Sequence, residues 1–209
     1  MPLTPALARL VAAVEGALDG LPVDGAASPA DQRRICEAVA PVLGGLLHEP
    51  DAVPAAARES LAGAAIGNLL YADPGGRFHV LAVVFPEGTS SGVHHHGCWG
   101  VIGYLEGGDE ETRYRASSDT GDRAELAESS RHVWHQGDVT FLLPPDEGWH
   151  RVRNPGPGPG VSIHVLCRTP ADHPHRFWDR RSGAVLPSPF VEVAPGRWRA
   201  EVAGLPESG

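Results

Sequence analysis

The chain has 209 residues, 42% of them hydrophobic and 21% charged, which is enough to enclose one core. Its formal charge of −9 offers neither nucleic acid nor an anionic membrane an electrostatic footing. Three cysteines, an odd and sparse set, argue against a secreted disulfide framework and for reduced thiols in a cytoplasmic setting; the N-terminus lacks both a basic leader and an unbroken apolar run.

Leu7, Leu10, Val11, Val14 and Leu18 recur at helical spacing from residue 4 until Gly20. A second helix is expected after Ser28, a suitable N-cap, with Pro29 in its first turn. An alanine-rich stretch over about 51–65 reads as a third. From about residue 66 the texture changes to short apolar runs separated by glycine and proline: RFHVLAVVFPEG, GVIGYLEG, EETRYRA, HVWHQGDVTFLLP, HRVRNPG and GVSIHVLCR. No helical run interrupts them between residues 78 and 168, so the expected fold is mainly β, an antiparallel barrel or sandwich rather than βαβ units. NPGPGPG at 154–160 reads as a long hairpin loop. Residues 170–209, with Pro170, Pro174, Pro187, Pro189 and Pro195, read as wrapping segments with one further short hairpin. The expected organisation is a single domain, helices over 1–65 packing on a barrel over 66–209.

The stretch SSGVHHHGCWG, residues 90–100, concentrates the chemistry. Alternate residues of a strand share a face, so His94 and His96 point together and His95 points away. Two imidazoles on one face can share a divalent metal; on this stretch alone a solvated histidine-rich turn is an equal alternative.

The surroundings favour the metal. Gly88 and Gly107 frame the pair, and GDVTFLLPPDEGWHRVRN follows with Gly137, Pro144, Gly148, His150 and Asn154. Together these stretches resemble the paired motifs of the cupin superfamily. The resemblance implies a small antiparallel β-barrel, a jelly roll, with a metal held inside by His94, His96 and His150. Where the pattern usually has a glutamate, this chain has Gly100 and Val101, and the next acid is Glu106. The implied ligand set is therefore three neutral imidazoles, with open positions on the metal and no carboxylate.

The stretch FHVLAVVFPEGTSSGVHHHGCWGVIGYLEGGDEETRY resembles the thiol dioxygenases more narrowly: cysteine dioxygenase and its bacterial 3-mercaptopropionate-type relatives. His94, His96, Trp99, Gly100, Leu105, Gly107, Glu111 and Thr112 fit, as do HRVRN around His150 and SIHV at 162–165. The likeness spans about residues 66–180. It implies iron(II) as cofactor, a small thiol and dioxygen as partners, a sulfinate as product, and Ser162 and His164 as a catalytic pair beside the metal. The tyrosine usual two residues after that histidine is Leu166 here, and a cysteine–tyrosine crosslink cannot form because Gly100 occupies the cysteine's place. The usual carboxylate-anchoring arginine is also missing near Gly67 and Asn68. Arg176 is the replacement expected first and Arg168 the second, with Arg113 and Tyr114 at the pocket mouth and Trp99, Cys98 and Leu166 along its wall. These departures suggest a thiol other than free cysteine, or an unusual product. Alternatives are a cupin metalloenzyme acting on carbon, as a dioxygenase, isomerase or decarboxylase, and a non-catalytic small-molecule-binding cupin. The expected assembly is a monomer or weak homodimer.

Of the remaining candidates, His132 and His135 read as loop or edge residues and His173 and His175 as surface. His48 and His79 carry no assignment. Cys36 reads as core, and Cys167 as facing away from His164 and Leu166.

Overall fold

In the computed structural model, which describes residues 3–21 and 27–202, helix α1 spans Pro5–Leu18 and α2 spans Pro29–Leu46. Each begins where a hydroxyl accepts an otherwise unpaired amide: Thr4 from Leu7 and Ser28 from Asp31, both at 3.2 Å, with proline in the first turn. The alanine-rich stretch does not become a third α-helix. Pro54 and Gly63 bracket too few residues to repay nucleation, and only a 3-10 turn forms, Ala55–Arg58.

Among the described residues thirteen strands follow: β1 (Ile66–Ala72), β2 (Phe78–Phe85), β3 (His94–His95), β4 (Gly100–Glu106), β5 (Gly108–Asp119), β6 (Ala124–His135), β7 (Val139–Leu142), β8 (Trp149–Arg153), β9 (Gly160–Cys167), β10 (Arg176–Trp178), β11 (Val185–Pro187), β12 (Phe190–Ala194) and β13 (Arg197–Ala200). They form two antiparallel sheets, ordered β12-β13-β1-β2-β9-β4-β7 and β11-β10-β3-β8-β5-β6. The sheets face one another as a jelly-roll barrel with the helices outside. Arg113 on β5 joins them, donating to the Thr140 hydroxyl at 2.8 Å and the Phe141 carbonyl at 2.9 Å.

Alternation sorts the first sheet's side chains. On β9, Val161, Ile163, Val165 and Cys167 join the core shared with α1 and α2, whereas His164 and Leu166 line the barrel's cavity. Helix α2 lies directly on β4 at Gly103, where a Cβ would approach Leu43 and Leu47 to 3.0 Å. Among the described residues no helix is long and apolar enough to cross a membrane.

Three sequence expectations change. The proline-glycine stretch at 154–160 is no hairpin loop: it carries the chain from β8 in one sheet to β9 in the other, pinned where Asn154 Nδ2 donates to the Phe85 and Gly158 carbonyls, each at 2.8 Å. The C-terminal region holds two hairpins, β10–β11 and β12–β13, one on each sheet. The cysteines are not all free. Gly97, at φ +68°, turns the chain so that Cys98 leaves the histidine face, and the β4–β9 pairing brings it to Cys167, with Cα atoms 6.2 Å apart and a disulfide between them. Cys98 and Cys167 both belong to the helix-covered core, so Cys98 is not a wall of the histidine cavity, and Cys36 is the buried free thiol.

Candidate metal centre

Strand β3 carries His94 opposite His150 of β8, and β10 lies on its other edge with Phe177 opposite His94 and Arg176 opposite His95. His94, His96, His150, His164 and His175 thereby line one cavity of about 390 Å³. The His150 ring centroid lies 4.3 Å from that of His94 and 5.2 Å from that of His96; His175 lies 4.7 Å and 5.2 Å from the same two. One ring nitrogen of each of His94, His96 and His175 falls within 4.8 Å of the others, and His150 stands outside that group.

The outward nitrogens decide what the inward ones can do. His94 Nδ1 lies 3.3 Å from the Gly92 carbonyl and His175 Nδ1 2.9 Å from the Ser188 carbonyl; a carbonyl only accepts, so both nitrogens carry the proton. His150 Nδ1 donates to Glu111 Oε1 at 2.8 Å. His173 Nδ1 faces the Cys167 carbonyl at 3.2 Å, which leaves His173 Nε2 as the acceptor for His96 Nδ1 at 2.8 Å. In the neutral rings all four Nε2 atoms are then lone pairs. Those of His94 and His96 face each other at 3.1 Å, and that of His150 is buried without a partner among the described residues. No proton is left to share unless an outward bond is given up. A cation is the group these nitrogens fit, and partners fixing the outward nitrogen of each ligand are what metal-binding histidines require.

Electrostatics agree. Burial, then the neighbouring imidazoles, holds His94 and His96 well below the usual imidazole range. Burial first brings His164 and His175 to about 3, so both are neutral at neutral pH. Glu111 is the opposite case: burial raises its pKa, but the bond from His150, the Arg113 guanidinium and the Trp134 indole outweigh it and bring the carboxyl down to about 2. A carboxylate thus serves the site after all, through His150 and from β5, not from the position of Gly100. At Gly100 a Cβ would meet Leu166 Cδ2 at 2.7 Å. The Leu166 side chain fills the space over that glycine and also lines the cavity.

Among the other expected site residues, Ser162 and His164 are joined, Oγ to Nε2 at 2.9 Å, with His164 on the cavity wall. Arg176 lies on the opposite face of the second sheet, beside His95: it pairs with Asp119 at 3.0 Å and stacks over Trp149 at 5.1 Å. Tyr114 sits opposite Trp149 in the small apolar cluster of that same outer face. Trp99 packs in the helix-covered core. Arg168 does not line the cavity; its carbonyl accepts from His79 Nδ1 at 2.6 Å. None of these four lines the histidine cavity: strand alternation directs Arg176 and Tyr114 outward, Trp99 follows the Gly97 turn, and Arg168 follows β9 at φ +63°.

The structure adds His173 and His175, which are buried rather than superficial. Their signal was present: His-Pro-His repeats the two-residue spacing of His94 and His96. It also adds Arg199 and Trp198 at the cavity, residues with no local motif.

No protein-family model matches the chain. Among solved structures it is similar to a conserved protein with a double-stranded β-helix domain from Klebsiella pneumoniae, at a TM-score of 0.40 and 16% identity over 57% of this chain and 89% of that one. An RmlC-like cupin from Shewanella frigidimarina gives 0.40 and 19% over 55% and 85%. A hydroquinone 1,2-dioxygenase from a Sphingomonas species gives 0.41 and 14% over 55% and 71%. The likeness concerns fold alone.

Proposed function

We propose that the chain is a non-haem iron(II) dioxygenase acting on the sulfur of a small thiol, RSH + O2 giving RSO2H. The observation that carries this reading is the convergence of neutral imidazole lone pairs, with Glu111 held one residue back from the ion. Bound iron(II) would supply a site where thiolate and dioxygen meet, and a ligand set without charge favours an anionic substrate atom.

The chain's own residues then divide the work. Glu111 fixes His150 as a lone-pair donor, and His173 does the same for His96. Ser162 holds the His164 ring on the wall, where it presents a neutral polar edge. Leu81, Val83, Phe85 and Leu166 exclude water from the thiol's carbon chain. Arg199 is the one guanidinium lining the cavity among the described residues; it pairs with Glu201 at 3.0 Å and replaces Arg176 as the expected carboxylate anchor. Beside it the buried Trp198 indole N–H has no partner among the described residues and can donate to the same carboxylate.

Oxygen uptake by iron-loaded protein tests this, with 3-mercaptopropionate, cysteine and cysteamine as substrates and sulfinate measured by mass. Stoichiometric sulfinate from at least one thiol is the expected result; no uptake with any of them removes the proposal. The apolar wall also suits a carbon substrate, so uptake with a hydroquinone but with no thiol would transfer the assignment to a metal-dependent oxygenase acting on carbon.

A further inference from the structure

We infer that His175, on the C-terminal side of the barrel, is a ligand of the same metal, so that the ion is held by four imidazoles and ties the β10–β11 hairpin to the barrel. The inference rests on the metal site described above but not on the reaction proposed for it.

Three observations place His175 there. Its neighbour Arg176 pairs with His95, which turns His175 to the side of His94 and His96. Its backbone and ring are clamped by one residue: the Ser188 amide donates to the His175 carbonyl at 3.0 Å, and His175 Nδ1 donates to the Ser188 carbonyl at 2.9 Å. That leaves Nε2 as a lone pair among the other lone pairs, and His94, His96 and His175 are the histidines whose donor atoms lie within 4.8 Å of one another. Without a cation, this buried imidazole adds a third lone pair to a pair already in conflict.

The consequence concerns substrate and hairpin alike. An ion with six positions would keep about two open beside four imidazoles, enough for one sulfur and dioxygen but not for a chelating amino-thiol as well. The hairpin should also be better protected when the metal is bound.

Cobalt(II) alone is the probe. The wild-type complex is expected to show four imidazole nitrogens by X-ray absorption, and hydrogen exchange across residues 173–188 should slow on cobalt binding. His175→Asn keeps a donor for the Ser188 carbonyl and removes the ligand nitrogen; its cobalt affinity should fall at least tenfold, with near-ultraviolet dichroism confirming the fold. His95→Ala, on the outer face, should bind as wild type does. A count of three imidazoles with no change in exchange over the hairpin overturns the inference, as does wild-type cobalt affinity in a folded His175→Asn. Cobalt bound by four imidazoles in a protein that oxidises no thiol would refute the proposed reaction and leave this inference standing.

Discussion

On the inner face of the second sheet, His94, His150 and Glu111 sit around lone pairs that point at one another. On the outer face of the same strands, His95, Trp149, Tyr114 and Arg176 form a closed packing arrangement. The difference lies in whether each polar group has a partner. His95 is satisfied: its ring packs 4.9 Å from Trp149, its Nδ1 accepts the Gly97 amide at 2.8 Å, and a Cβ on Gly148 would collide with it. Arg176 is neutralised by Asp119. The inner histidines keep a bare nitrogen each, and His150 Nε2 is buried with no partner among the described residues. Identical side chains on adjacent residues therefore meet opposite surroundings, and the unsatisfied face carries the candidate metal site.

The comparison breaks most visibly if the inner face is cut. His94→Ala or His96→Ala should lower metal affinity by more than about a hundredfold, read by competition with a chromogenic chelator; unchanged affinity would return these residues to a structural role. Replacing both Cys98 and Cys167 with serine should lower stability in urea by about 2–4 kcal/mol, because the bridge closes a loop of 69 residues in the unfolded chain. Glu111→Gln weakens the acceptor that fixes His150, and about a tenfold to hundredfold loss of metal affinity is expected.

Acid should act on the buried histidines of both sheets. Burial depresses His79 and His95 to about 4 from an ordinary 6.5, so between those values the unfolded chain binds protons the folded chain refuses. Stability of the metal-free protein should therefore be full above about 6.5 and fall as pH drops toward 4, by about 1.4 kcal/mol per pH unit for each such histidine. A flat urea midpoint over that window would contradict the burial described here. The smallest effect belongs to the outer face: Arg176→Ala should cost about 1 kcal/mol or less and leave metal affinity unchanged.

Much of this could be read from one dimension. Two-residue spacing separated His94 and His96 from His95, and the strand-rich stretch after residue 66 announced an antiparallel fold. What escaped was whatever depended on pairing between distant strands. Arg176 looked like an anchor until its register with His95 turned it outward. Cys98 looked like a pocket wall until Gly97 rotated it toward Cys167. Glu111 matched a motif position, but its bond to His150 exists only because β5 pairs with β8.

By itself, then, the sequence determined the local periods: which stretches alternate, where glycine and proline turn the chain, and which histidines share a strand face. Those follow from backbone geometry within a few residues. The tertiary structure alone decided that His175 joins His94 and His96, that His173 and Glu111 orient two of the imidazoles, and that Leu166 lies over Gly100. Each of these brings together residues at least 39 positions apart, and only strand register and the packing of two sheets fix such distances.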